Sequence, residues 1–161
     1  MFIHTLSAND ECANVQLETV IRADEEMKAT VEFRISDAGG NTVSATEKQL
    51  NLKCGENKDV SVLEITNPIL WDMDNPHLYT VFAEIHADGA VLDTFETTFG
   101  VRTISADSKN GFMLNNKSVK LRGGCIHHDH GGLGSAEMKD AVHRKIRKLK
   151  ETGFNALRIS H

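Results

Sequence analysis

The chain has 161 residues, 40% of them hydrophobic and 25% charged, with a net charge of −5. That leaves room for one ordinary domain, or a small domain with an appendage, and excludes a disordered chain. The acidic balance argues against a nucleic-acid partner, because phosphate binding needs a basic surface.

No apolar run approaches the roughly 18–20 residues that a membrane span needs, so no membrane partner is expected. The opening residues, Met1-Phe2-Ile3-His4-Thr5, lack the basic and apolar regions of a signal peptide. A soluble protein is expected, cytoplasmic or periplasmic, with the compartment left open. Three cysteines, Cys12, Cys54 and Cys125, are widely spaced and form no CxxC pair. They are expected to be free and mostly buried thiols rather than a disulfide framework or a zinc ribbon.

From Asn14 to about Arg102 the chain alternates with period two. Val15-Leu17-Thr19-Ile21, Val31-Phe33-Ile35, Val81-Ala83-Ile85 and Phe95-Thr97-Phe99 each interleave with polar residues, the pattern of a strand with one dry and one wet face. Turn signals separate the runs at Asp37–Asn41, Cys54–Asn57 and Asp88-Gly89. Asp-Gly between two alternating runs predicts a two-residue hairpin, since a type I′ turn needs positive φ at both central positions. About seven short strands at this spacing predict an immunoglobulin-like antiparallel β-sandwich over residues 1–104. The segment from Asn67 to Tyr79, with both prolines and an Asp/Asn cluster, predicts a long ordered connection anchored by Trp71, the only tryptophan.

Beyond Arg102 the rhythm changes. Phe112-Met113-Leu114, Asn115-Asn116 and Val119-Lys120-Leu121 predict a small hairpin leading into a strand. A glycine- and histidine-rich loop runs from Gly123 to Gly134. Then Met138, Val142, Ile146 and Leu149 fall on one face of a helical period. Ser135 is expected to cap this helix, with Glu137 in its first turn and Gly153 closing its end. The basic run from His143 to Lys150 suits the helix dipole and reads as a solvated face. Phe154 to Ile159 predicts a second short strand. Strand, loop, helix and strand make one βαβ unit, which implies a parallel pair and cannot bury its own faces. Residues 105–161 are therefore expected to be part of a parallel α/β domain whose apolar surface favours self-association.

Five motifs in this order resemble glycoside hydrolase family 2, the β-galactosidases, β-glucuronidases and β-mannosidases. NPILWDMDNPHLYTV (Asn67 to Val81) resembles the family's connection ending in Pro-x-Leu-Tyr. Phe99-Gly100-Val101-Arg102 resembles its junction between sandwich and barrel. FMLNNKSVKLRG (Phe112 to Gly123) resembles the hairpin that enters the barrel, with Asn115-Asn116 in place of the usual Asn-Gly. HHD followed by GGLG (His127 to Gly134) and FNALRISH (Phe154 to His161) resemble the ends of its first two barrel strands. Cys125 stands where asparagine is common, and Met73 replaces a frequent proline.

The resemblance carried by the motifs implies an incomplete (β/α)₈ barrel segment over residues 105–161. It also implies a retaining β-glycosidase hydrolysing terminal β-D-galactosides, with β-glucuronidase and β-mannosidase as alternatives. It assigns His127, His128, Asp129 and His161 to the sugar-binding face, at the C-terminal ends of parallel strands. The implied mechanism needs two carboxyl groups about 5–5.5 Å apart. In the family both are glutamates on later barrel strands, so no catalytic residue is expected in this stretch. Glu137 and Glu151, at the ends of the predicted helix, read as capping and solvation. No built-in metal or cofactor is expected here, although magnesium or sodium can assist full-length relatives. A rival reading is a non-catalytic sandwich binding module, which accounts for residues 1–104 but gives the strand-end histidines no purpose.

Overall fold

The computed structural model describes residues 1–160 and is mainly β, with one helix. Its contacts divide the chain into two units: Met1–Ser105 with Leu114–Lys117, and Ala106–Met113 with the residues from Ser118 onward.

The first unit holds seven strands: β1 (Phe2–Ala8), β2 (Cys12–Ala23), β3 (Met27–Ser36), β4 (Thr42–Leu52), β5 (Gly55–Thr66), β6 (Tyr79–Ala87) and β7 (Ala90–Phe99). They form two antiparallel sheets, β1-β2-β5 and β4-β3-β6-β7, which is the immunoglobulin-like sandwich that the alternation predicts. The period-two residues of β3, of most of β6 and of the first half of β2 are buried, whereas Phe95 in β7 stays exposed. Val15 and Leu17 of β2 and Leu63 and Ile65 of β5 meet Val31, Phe33 and Ile35 of β3 and Val81 of β6 in one core. Full burial of such a side chain is worth about 1.5–3 kcal/mol. A slip of one residue would turn a strand's whole apolar set to the wet face, so the core fixes the register. β1 precedes the alternating region and emerges only in the structure. It pairs with β2, from Phe2 opposite Glu18 to Ala8 opposite Ala13.

The turns follow local chemistry. Asp88 and Gly89 join β6 to β7 with φ of +51° and +77°, the left-handed pair that this hairpin requires. Asp37 Oδ1 accepts the backbone N–H groups of Gly39 and Asn41. These bonds, with that from the Asn41 side chain, hold the Asp37 carboxyl below the ordinary aspartate value. The turn expected at Cys54–Asn57 is tighter than that, because β5 begins at Gly55. Two of the three thiols are also more exposed than expected. Cys54 and Cys125 face solvent, and only Cys12 is half-buried.

The connection from Asn67 to Leu78 is pinned at both ends. The Tyr79 hydroxyl, at the start of β6, accepts the Ile69 backbone N–H at 2.8 Å. This is the geometry of a tyrosine corner, in which a buried phenol ties the entry of the sixth strand to the backbone upstream. Trp71 anchors the other end. Its N–H donates to Val101 O at 2.9 Å, and the Arg102 guanidinium lies 4.4 Å from its ring centroid. The indole packs so closely on Gly100 that a Cβ there would fall 2.7 Å from the ring. Asn115, at φ +50°, donates from Nδ2 to Trp71 O and accepts the Thr103 N–H, each at 3.0 Å. His77 packs inward on the same corner. It lies edge-on to Tyr79, with ring centroids 4.9 Å apart and a buried Nε2.

Further along the chain, β8 (Ile104–Asp107), β9 (Gly111–Leu114) and β10 (Lys117–Ser118) form a small sheet in the order β10-β9-β8. Asn115 and Asn116, at φ +50° and +62°, make the predicted hairpin turn. The second unit then presents β11 (Gly123–Ile126), α1 (Lys139–Glu151) and β12 (Ala156–Ile159). β11 and β12 pair in parallel, from Gly123 opposite Ala156 to Ile126 opposite Ile159.

Two boundaries differ from expectation. The strand predicted at Val119–Leu121 lies instead at Gly123–Ile126, inside the glycine-rich stretch. Asn155 explains the shift. Its Oδ1 accepts the Arg122 N–H and its Nδ2 donates to Lys120 O, so Lys120–Arg122 is held by a side chain rather than a ladder. The helix also starts later than its predicted cap. Met138 occupies the N-cap with no side-chain capping bond, so Ser135 does not cap. The C-terminus behaves as predicted. Phe154 N bonds to Leu149 O and Gly153 N to Lys150 O, a Schellman ending with Gly153 at φ +92°.

Candidate functional site

Parallel pairing brings the C-terminal ends of β11 and β12 to the same edge, where the loops of α/β units carry chemistry. β11 ends at Ile126, so His127, His128 and Asp129 follow it directly. Cys125, expected beyond the strand, lies within it. β12 ends at Ile159, and the Ser160 N–H donates to Ile126 O at 3.0 Å, closing the pair. Ser160 is buried, and its Oγ accepts from Arg158 Nη1 at 3.1 Å. The same guanidinium nitrogen lies 3.7 Å from Cys125 Sγ. His161, the fourth expected sugar contact, lies outside the described residues.

The loop after β11 is built from backbone bonds and one carboxylate. His130 N donates to Gly134 O and Gly134 N to His130 O, both at 2.8 Å. Asp129 N donates to His127 O at 2.8 Å, which turns the backbone beside the predicted contacts. Lys145 of α1 donates to Asp129 O at 2.8 Å, and its Nζ lies 3.9 Å from Asp129 Oδ1. The Asp129 side chain is 82% exposed and open to a ligand.

Glu137 differs most from its sequence reading. It neither caps α1 nor points freely into solvent. Oε1 lies 3.2 Å from His128 Nδ1, and Oε2 lies 3.3 Å from His130 Nε2. The second contact has the distance of an ion pair without the angle of a hydrogen bond, which leaves the buried Nε2 otherwise unpartnered. The His130 imidazole, with His128 behind it, holds the Glu137 carboxyl below its ordinary value. The shared partner of His128 and His130 carries no signal in the sequence. Eight residues, three of them glycines, lie between His128 and Glu137, so no helical or strand period links them.

These groups suit recognition of a hydroxylated ring: imidazoles that donate or accept, one open carboxylate, and strand-end backbone. Among the described residues, no three His, Cys, Asp or Glu side chains are grouped to hold a metal ion. Nor is any helix long and apolar enough to cross a membrane. A cleft of about 670 Å³ in the sandwich is walled by Ile21, Val31, Leu52, Ile85 and Phe95. Those walls are continuous with the apolar core, and the polar strand-end loop is the better candidate despite its smaller cavity.

The fold is an antiparallel sandwich in one unit and a strand–loop–helix–strand α/β segment in the other. The chain belongs to glycosyl hydrolases family 2, whose sequence profile matches residues 1–102. It is 34% identical over 165 residues to the β-galactosidase BoGH2A of Bacteroides ovatus, covering 99% of this chain and 19% of that protein. A β-glucuronidase of Bacteroides fragilis is 29% identical over 153 residues, covering 93% of this chain and 21% of that one. Among solved structures, a glycosyl hydrolase family 2 member from Bacteroides cellulosilyticus matches at a TM-score of 0.95 and 40% identity, over 99% of this chain and 22% of that one. The Bacteroides uniformis β-glucuronidase matches at a TM-score of 0.87 and 28% identity, over 99% of this chain and 20% of that one. The chain thus spans about a fifth of the length of the relatives it matches.

Proposed function

We propose that the chain is the sandwich and opening barrel strands of a retaining β-glycosidase acting on terminal β-D-galactosides. Residues 1–104 serve as the buttressing sandwich, and residues 105–161 begin a (β/α)₈ barrel. His127, His128, Asp129 and His161 contact the sugar hydroxyls. The observation that carries this reading is the 34% identity to a β-galactosidase over nearly the whole chain. The position of the histidine loop at the ends of parallel strands supports it. A β-glucuronidase is an equally supported substrate choice, given the relatives of that name.

Retention requires one carboxylate as nucleophile and a second as acid/base, about 5–5.5 Å apart. Neither role is assigned to this stretch, because Glu137 is engaged by two histidines and Glu151 accepts from Lys148 at the far end of α1. The residues here bind and orient the sugar, and no metal is invoked for that role.

Two measurements on the chain test this. With p-nitrophenyl β-D-galactoside no turnover is expected. In an NMR titration, methyl β-D-galactoside should shift the amides of His127–His130 and Ser160 more than methyl β-D-glucuronide does. Shifts confined to the sandwich would sink the sugar-facing reading, and a stronger response to the glucuronide would reassign the substrate.

A further inference from the structure

We infer that Glu137 is a positioning residue for the strand-end loop: its two carboxylate oxygens clasp His128 and His130 and hold the segment His127–Asp129 in its sugar-meeting conformation. The purpose rests on the sugar-facing reading above, whereas the clasp stands on geometry. Three glycines, Gly131, Gly132 and Gly134, lie between the two ends of the loop, and the last two adopt φ of +76° and +60°. So permissive a segment has much backbone entropy to lose on ordering. Its backbone bonds tie His130 to Gly134. Lys145 of α1 reaches Asp129 O, and Glu137 adds a second tie, from the last residues before α1 back to the first residues after β11.

The burial order fits this role. The His130 side chain is 8% exposed and faces inward, Glu137 is 36% exposed, and His128 is 54% exposed and open to a ligand. Glu137 is also unclaimed by the helix, which begins at Lys139 behind an N-cap that makes no side-chain bond. Arg144, Lys145 and Lys148 line the same cleft as His130, against Asp129 in that cleft and Asp140 in the first turn of α1. His130 and then His128 depress the Glu137 carboxyl below its ordinary 4.5. The clasp is therefore lost as pH falls through the depressed value.

NMR of the 161-residue chain tests this without an assay of catalysis. In the wild type, the Glu137 carboxyl carbon should titrate below 4.5, and His130→Ala should move it back up further than His128→Ala does. Glu137→Gln keeps the shape and removes the charge. It should speed exchange of the His130 and Gly134 amides by about tenfold while β3 and β6 are unchanged. It should also weaken methyl β-D-galactoside binding by about tenfold, because a smaller fraction of loops is then competent. A wild-type Glu137 that titrates at its ordinary value, or exchange unaltered in Glu137→Gln, overturns the clasp whatever the sugar does. If the clasp readouts hold and no sugar perturbs the loop, the clasp stands as an ordering device and the sugar reading falls instead.

Discussion

At the residue scale, single side chains tie long connections to the sandwich. Tyr79 is buried, and its hydroxyl accepts the Ile69 N–H across ten residues. Tyr79→Phe keeps the ring packing against Phe99 and deletes only that acceptor. It should cost about 1–2 kcal/mol in urea unfolding, the net worth of one partly buried hydrogen bond plus the donor left bare. An unchanged midpoint would mean that water replaces the phenol. Some of this detail was legible in the sequence and some was not. Asp88-Gly89 announces its turn because the signal sits in adjacent residues. The bonds from Tyr79 to Ile69 and from Asn115 to Trp71 join residues far apart in the chain, and no local pattern encodes them. Glu137 was misread for the same reason, since its position suggests a cap and only the folded loop supplies its two histidines.

At the element scale, strands with a clean period two were legible and those without it were not. β2, β3 and β6 bury alternate residues, whereas β4 carries Thr46, Glu47, Lys48 and Gln49 at an edge and shows itself only by its flanking turns. β11 was hidden by glycine, which usually signals a loop. Its glycine has a packing cause: a Cβ on Gly123 would collide with the Ala156 carbonyl of β12. Gly123→Ala should therefore spread the parallel pair, at about 1–3 kcal/mol for an overpacked contact. Hydrogen exchange would show it as faster exchange of the Ser160 amide, which bonds to Ile126 O, with no change in β3. Protection of Ser160 equal to wild type would mean that the backbone absorbs the methyl elsewhere.

At the scale of the whole molecule, the apolar surface is unevenly covered. α1 has no buried residue, and Met138 and Ile146 on its apolar stripe are 55% and 43% exposed. Ile159, at the end of β12, is 80% exposed. Family relatives about five times longer have further chain with which to cover such faces. On its own, this chain is expected to associate as its concentration rises, through these residues rather than through the sandwich core. Light scattering across a dilution series checks this, and a constant monomer mass together with a protease-resistant α1 would contradict it.

The pairing of β2 with β5 has a kinetic consequence. These two strands share a register from Cys12 opposite Thr66 to Ala23 opposite Gly55, yet β3 and β4 intervene in the chain. Their ladder can form only after a long loop closes, so the entropy is lost before the contacts form. The sandwich should refold at the slow end of the range for small domains, in milliseconds to seconds, and the β3–β4 hairpin, whose partners are neighbours in sequence, should acquire protection first.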